Sequence, residues 1–567
     1  YDIPTKSAPM SEPPPFATPQ HHHSRVWSLG GWSTYFIGKL LLYWYGYIGF
    51  HALENLLFAV FVAAPSRGRL RRWLQRLIAL PLAVVLLYYD SFLPPFRQFV
   101  KRLPEILSFS QEYLLELSGR IIDFRLLAGF LILWALIEFL RQWVRIGGMV
   151  IACLTALLLL PLVTQNYSSR NIAHPELAEV TVKTQEPTTN PTTSSSPSAR
   201  PTEAVDFDKL LADFFASEAR RKVTFVPAAD ASQPFDIVFL HICSLSWDDI
   251  RVAGLEQHPI WQRLDLLFTR FNSAASYSGP AAIRFLRATC GQTSHQALYS
   301  PANPGCYLMK QLADAGFESE LAMNHDGHFD EFLQIVQQQY DIQNRSALSL
   351  VDLPITQRSF DDSPIFDDYA VLARWMENQP PGGKKPTALF YNTVSLHDGN
   401  YLNEPGASRD SLKTYGKRAT TLLDGVVRFF DRLESSGRRT IVVVASEHGA
   451  ALEGDRMQFP GLREIPSPAI TLVPLGIRVI GPGVSRPSAP IRITEPTSYL
   501  AMSHVIGGMI NNNPFVNADY RPETYLRDLP QTQFVSENED ATVMAYDNGY
   551  VWRQGKDPWT PYMAGSR

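Results

Sequence analysis

Between Ile146 and Val163 the chain reads IGGMVIACLTALLLLPLV, an uncharged run close to the length that crosses a bilayer. Three earlier stretches share its character, and together they commit the first third of the chain to lipid. Leu126 to Leu140 is interrupted only by Glu138, Leu77 to Leu93 carries Asp90 near its end, and Thr34 to Ala64 suffices for one tilted helix or a cramped pair. Four or five membrane helices are therefore expected over 34–163. Arg67, Arg69, Arg71, Arg72 and Arg76, and then Arg141 and Arg145, mark two cytoplasmic loops by the positive-inside rule, which puts everything after Val163 outside. Phe96 to Arg120 is then external; its apolar residues, set among Arg97, Lys101, Arg102 and Glu105, suit either an interfacial helix or a partly buried loop helix. The tail over 1–33 is Pro-rich with a His21 to His23 run. It lacks the charged start and apolar stretch of a cleaved leader.

From Thr164 to Ala204 the composition turns to Ser, Thr, Pro and Asn, which cannot bury a core; a disordered tether is expected here. A globular mix follows over 205–567. Lys plus Arg total 51 against 55 for Asp plus Glu, so no basic excess exists to hold a nucleic-acid backbone, and nucleic acid is excluded as a partner.

Beyond Val205, short β-rich apolar runs alternate with helical stretches, the pattern of an α/β domain with a largely parallel sheet. FDIVFLHI (Phe235 to Ile242), TALFYN (Thr387 to Asn392) and TIVVVA (Thr440 to Ala445) are near-continuous, as strands covered on both faces should be. Each gives way to polar side chains. Cys243 and Ser244 follow the first, His397 and Asp398 the second, and Ser446, Glu447 and His448 the third. Open α/β sheets build their sites at the carboxyl ends of strands, so three segments deliver ligand-type groups to one rim.

Four cysteines are present. Cys153 falls in an apolar helix, where it reads as a small packing residue. Cys290 and Cys306 share a loop-like stretch on the oxidising side of the membrane, where a disulfide is expected in preference to two free thiols. Cys243 is left unpaired at the end of a buried strand. Alone it would read as a packed hydrophobe; beside Glu447, His448 and His397 it becomes a metal ligand, and thiolate with carboxylate and imidazole favours zinc. Ser276-Tyr277-Ser278-Gly279-Pro280 is a small-residue turn leading into a helical stretch, Ala281 to Ala288. Read by itself, Ser278 is an ordinary N-cap. Next to a metal and a helix N-terminus, its hydroxyl becomes a nucleophile for a phosphate. Tyr277, Asn324, His325 and Arg463 are further candidates for phosphate or acceptor contacts.

These residues resemble the alkaline-phosphatase-like phosphoethanolamine transferases, in which membrane helices precede an extracytoplasmic α/β/α sandwich. The resemblance spans nearly the whole chain. Lipid A enzymes of that family carry a Glu after the first strand, a Thr nucleophile and a Ser-Asp-His-Gly motif; this chain has Cys243, Ser278 and Ser446-Glu447-His448-Gly449 in those places. HICSLSWDD, SYSGPAAIRFLRATCGQ, NTVSLHDGN and ASEHGAAL are instead similar to the cellulose phosphoethanolamine transferases, the G subunits of bacterial cellulose synthase machinery. That resemblance implies zinc on Cys243, Glu447 and His448, with Ser278 as nucleophile and fourth ligand. It implies His397, Tyr277 and Arg463 at the substrate, and the Cys290 to Cys306 disulfide. It further implies phosphatidylethanolamine as donor, cellulose as acceptor, other synthase subunits as membrane partners, and a multi-pass protein of the bacterial inner membrane with its catalytic domain in the periplasm. Two alternatives stand beside it: transfer to lipid A or another glycan, and a non-catalytic scaffold of a polysaccharide synthase. The turn at Ser278 lacks the Cys-X-Pro-X-Arg-type context of a sulfatase.

Overall fold

In the computed structural model the chain divides into two units: Tyr1–Phe92 with Phe124–Thr184, and Leu93–Asp123 with Gln185–Arg567. The residues described are 29–65, 68–91, 103, 110–121, 124–140, 143–144, 146–168, 205–227, 232–340, 347–379, 385–485, 487–516 and 520–563. Most of the expected N-terminal tail and tether, with Arg67, Arg141 and Arg145, lies outside them.

In the first unit, α1 (Trp32–Trp44) and α2 (Ala52–Ala63) occupy the 34–64 stretch as a pair. They are followed by α3 (Arg69–Asp90); α4 (Gln111–Ile121) belongs to the second unit, and α5 (Phe124–Leu140) and α6 (Ile146–Ser168) return to the first. Among the described residues one helix, α3, contains a window, Trp73–Asp90, long and apolar enough to cross a membrane; shorter apolar helices span Ala52–Ala63, Leu127–Leu140 and Ile146–Leu159. Leu77, Ile78, Val84, Leu131, Ile132 and Met149 face outward although apolar, as helices solvated by lipid do. These features fit a membrane-anchored protein. Inside, Phe36, Phe58, Leu86 and Leu154 pack with Ala59, Ala63, Ala79 and Ala83, whose small side chains let helices approach closely. Lys39 is buried among them in an ion pair with Asp90, and it also donates to Asn55 Oδ1 at 2.8 Å. Cys153 is free and exposed on α6. It does not pack inside, contrary to the sequence reading, because its side of the helix faces away from the core.

The second unit is built on a seven-stranded sheet: β1 (Asp236–Ile242), β2 (Leu266–Asn272), β3 (Glu318–Met323), β4 (Thr387–Thr393), β5 (Thr440–Ser446), β6 (Leu472–Ile480) and β7 (Ile491–Ile493). The order is β7-β2-β6-β5-β1-β4-β3, and β6 alone runs antiparallel to its neighbours. Every residue of β1, β4 and β5 is buried, which is why those runs lack polar alternation. One face packs against α7 (Ser278–Leu286) and α10 (Tyr499–Asn511) through Phe239, Phe285, Phe390 and Met502. The other packs against α8 (Asp368–Asn378) and α9 (Ser411–Ser436) through Leu240, Trp375, Tyr391 and Phe429. The result is an α/β/α sandwich. Asp367 and Asp410 cap α8 and α9 by accepting from Ala370 N and Lys413 N, and α9 ends at Gly437 in the left-handed conformation. Sequence reading did not reveal the C-terminal four-stranded sheet over Val535–Pro561.

Candidate metal centre

Register sets the site. Ile242 pairs with Thr393 on one side and Ser446 on the other, so β1, β4 and β5 end level and release Cys243, the His397 turn and Glu447-His448 at one rim. Cys243 N donates to Thr393 O at 3.0 Å and Glu447 N to Ile242 O at 2.8 Å, extending the ladder by one residue. Ser244 then turns the chain with φ 60, an uncommon conformation for a residue with a Cβ, and Tyr415 Oη holds its carbonyl at 2.6 Å. Gly449 cannot be replaced freely, since a Cβ there would lie 2.6 Å from Ser246 Oγ and 2.8 Å from Asp249 Oδ2.

Cys243, Glu447 and His448 present ligand atoms within 4.8 Å of one another, all buried. Cys243 Sγ lies 3.4 Å from Ser278 Oγ and 3.9 Å from His448 Nε2. Ser278 Oγ is 3.3 Å from His448 Nε2, and Glu447 Oε2 is 3.7 Å from it. Tetrahedral zinc with ordinary Zn–N, Zn–O and Zn–S bonds separates its donors by roughly 3.3 to 3.8 Å, so three of these spacings fall in that range and the fourth, Cys243 Sγ to His448 Nε2, is slightly longer at 3.9 Å. Orientation agrees with spacing. His448 Nδ1 donates to Gly449 O at 2.9 Å, which turns the Nε2 lone pair inward. Glu447 Oε1 accepts from Asn392 Nδ2 at 2.5 Å and from His241 Nδ1 at 3.0 Å, while the buried Oε2 has no hydrogen-bond partner. A buried carboxylate oxygen held ready and unpaired is what a cation needs.

The protonation states follow the same surroundings. Burial pushes the Cys243 thiol up to about 12, with Glu447 adding to it. Burial and then the Arg463 guanidinium lower His448 to about 3, leaving a neutral imidazole. Burial works to raise Glu447, but the charge and hydrogen bond of His241, followed by the charge of His448, outweigh it and hold the carboxyl down to about 2.

Tyr277, not Ser278, occupies the N-cap of α7, so the Ser278 hydroxyl is turned toward Cys243 and His448 rather than spent on capping. Arg463 donates from Nη1 to His448 Nε2 at 3.2 Å and stacks its guanidinium over the Tyr277 ring at 5.3 Å. Tyr277 Oη donates to Glu464 at 2.7 Å. His397 is not in the ligand cluster among the described residues. It lies within electrostatic range of Arg463 and Glu447, and burial followed by Arg463 lowers it to about 4. Its Nδ1 donates to Asp398 O at 2.7 Å. Asn324 serves the scaffold, donating to Ser395 Oγ at 2.8 Å and accepting from Val394 N at 3.1 Å. His325 accepts from Gly327 N at its Nδ1 and so donates from Nε2 to Asn392 Oδ1, at 2.9 Å. Cys290 and Cys306 form a disulfide.

Asn392 and His241 were missed in the sequence, although the signal was there: each is a polar residue inside an otherwise apolar buried strand. Such residues are kept polar by a partner.

An α/β/α domain with a buried thiol, carboxylate and imidazole at one rim of its sheet defines the class. The family described as cellulose biosynthesis protein BcsG matches the chain twice, its N-terminal domain over residues 32–159 and its C-terminal domain over residues 191–559. The chain belongs to that family. It is 41% identical over 550 residues to cellulose biosynthesis protein BcsG of Escherichia coli, covering 94% of this chain and 96% of the relative. Its identity to the Salmonella typhimurium protein of the same name is 40% over 549 residues, with the same coverage. Among solved structures it is similar to a Vibrio parahaemolyticus protein in the alkaline phosphatase superfamily, with TM-score 0.43 and 14% identity over 63% of this chain and 88% of that one.

Proposed function

We propose that the protein is a zinc-dependent phosphoethanolamine transferase that modifies cellulose. In this reading 34–163 anchors it as a multi-pass protein in the bacterial inner membrane, 164–204 is a tether, and 205–567 is the catalytic domain in the periplasm. The observation that carries the reading is the convergence of Cys243 Sγ, Ser278 Oγ, Glu447 Oε2 and His448 Nε2 at separations of 3.3, 3.4, 3.7 and 3.9 Å, with the carboxylate oxygen unpaired. Cellulose as acceptor is supported by the family's role in cellulose biosynthesis. Phosphatidylethanolamine as donor is supported by the motif resemblance.

Cys243, Glu447 and His448 would hold zinc with Ser278, and zinc so bound lowers the pKa of a coordinated hydroxyl and neutralises phosphoryl charge. The residues then act as follows. Ser278 Oγ attacks the phosphorus of phosphatidylethanolamine, the bond from phosphorus to the glycerol oxygen breaks, and diacylglycerol leaves with a proton. A glucose hydroxyl of cellulose next attacks phospho-Ser278, the bond to Ser278 Oγ breaks, and the serine hydroxyl is regenerated. Because His397 Nδ1 is engaged by Asp398 O and the ring is neutral, Nε2 is available to take the acceptor's proton. Arg463 supplies the fixed positive charge for phosphoryl oxygens, braced by Tyr277.

The test is transfer of labelled phosphoethanolamine from phosphatidylethanolamine to cellulose by the full chain and by Ser278→Ala. Loss of transfer with the variant still produced and membrane-inserted supports the enzyme. Undiminished transfer would move the assignment to a scaffold.

A further inference from the structure

The helix α4 lies in sequence between α3 and α5, yet Leu93–Asp123 groups with the catalytic unit. Its contacts there converge on the turn that carries His397. Tyr113 Oη donates to Asp398 Oδ2 at 3.1 Å, and Ser110 N donates to Phe360 O at 3.2 Å. Glu116 Oε1 accepts from Ser411 N at 3.0 Å, serving a backbone N–H that the first turn of α9 cannot satisfy itself. The Phe360 ring stands between the two elements, 6.1 Å from the Tyr113 ring and 5.7 Å from His397. Gly399 has φ +79, and a Cβ there would fall 2.9 Å from the Tyr113 ring and 2.7 Å from Phe360 Cβ, so this approach requires glycine.

Asp398 joins these contacts to the imidazole. Its Oδ1 accepts from Ser411 Oγ at 2.5 Å and from Gly399 N at 2.9 Å, its Oδ2 from Tyr113, and its backbone oxygen from His397 Nδ1 at 2.7 Å. The orientation of His397 is thus set by a residue that α4 holds from the far side.

We propose that α4 is a positioning element of the active site: Tyr113 and Glu116 fix the His397–Asp398–Gly399 turn in the geometry that transfer uses. Catalysis then depends on a segment flanked in the chain by apolar helices of the anchor. The proposal rests on the transferase reading and adds to it a requirement on which part of the protein completes the site. Tyr113 acts on Asp398 directly, and Glu116 acts on it through Ser411.

The experiment uses the full chain in detergent micelles with phosphatidylethanolamine and a short β-1,4-glucan, measuring kcat, KM for the lipid, and zinc per chain. Loss of one hydrogen bond to a charged group predicts that Tyr113→Phe and Glu116→Ala each lower kcat about tenfold, with KM and zinc content unchanged. Glu116→Gln, which keeps an acceptor for Ser411, restores most of what Glu116→Ala loses. Gly399→Ala, which forces the ring off the turn, lowers kcat in the same way and gives a second route to the answer. Wild-type rates in Tyr113→Phe, Glu116→Ala and Gly399→Ala, with wild type itself active, overturn the proposal alone. Loss of zinc together with rate in these variants also overturns it, because the effect is then on the fold. Absence of both zinc and transfer in wild type overturns the transferase reading and the proposal with it.

Discussion

Metal-free Cys243 carries its proton across the physiological range, because burial and then the Glu447 carboxylate push the thiol up to about 12. Glu447 and His448, held down to about 2 and about 3, have already lost theirs. Zinc takes a thiolate, a carboxylate and a neutral imidazole, so uptake at neutral pH must release one proton, and that proton comes from Cys243. The sign follows directly. Below the thiol's pKa, each unit fall in pH weakens apparent affinity tenfold, about 1.4 kcal/mol, and each unit rise strengthens it by the same factor. Between about pH 5 and pH 8 the affinity should change about a thousandfold. Competition against a chromophoric chelator, corrected for the chelator's own protons, reads the slope. Calorimetry in buffers of different ionisation enthalpy counts the proton independently. Cys243→Ala should bind more weakly and with a flat profile, whereas Ser278→Ala should keep the slope of one if the serine enters as a hydroxyl. A flat wild-type profile, or a slope of two that survives in Ser278→Ala, would refute the assignment of protons to these groups.

Other consequences can be checked separately. Asn392→Ala removes a donor that holds Glu447 Oε1, and His241→Phe removes the other; each should weaken zinc binding about ten- to hundredfold in the same competition, and unchanged affinity would show that the carboxylate needs no such support. Lys39→Met removes the ammonium from buried Asp90, which keeps His51 and Asn55 as partners, and should cost about 3 kcal/mol, read from thermal unfolding of the full chain in detergent; an undiminished melting temperature would refute it. Cys290→Ser opens a loop whose ends are 16 residues apart and should destabilise the catalytic unit by about 3 kcal/mol; an unchanged melting temperature would contradict that.

The strands that end at the site were legible because β1, β4 and β5 are buried on both faces, and continuous apolar runs mark such strands plainly. Their sudden polar ends singled out Cys243, Glu447 and His448. Level registers, which only the folded sheet provides, then place them within one ion's reach. Ser278 was found as a turn residue, but sequence alone favoured an N-cap; which of two adjacent residues caps a helix depends on backbone angles that composition does not encode. Asn392 and His241 escaped notice because their role is to face a carboxylate from another strand. The reversed direction of β6 was likewise invisible, since a buried run reads the same for either orientation. The docking of α4 could not be read either, because its amphipathic spacing suits a membrane surface as well as a protein one.

In the proposed mechanism Ser278 carries the transferred group. The direct measurement is mass spectrometry of peptides from the full chain after brief incubation with phosphatidylethanolamine in the absence of glucan. The peptide containing Ser278 should gain one phosphoethanolamine group, cellulose added afterwards should remove it, and Glu447→Ala should never acquire it. Transfer to cellulose by a wild-type protein whose Ser278 stays unmodified throughout would contradict it.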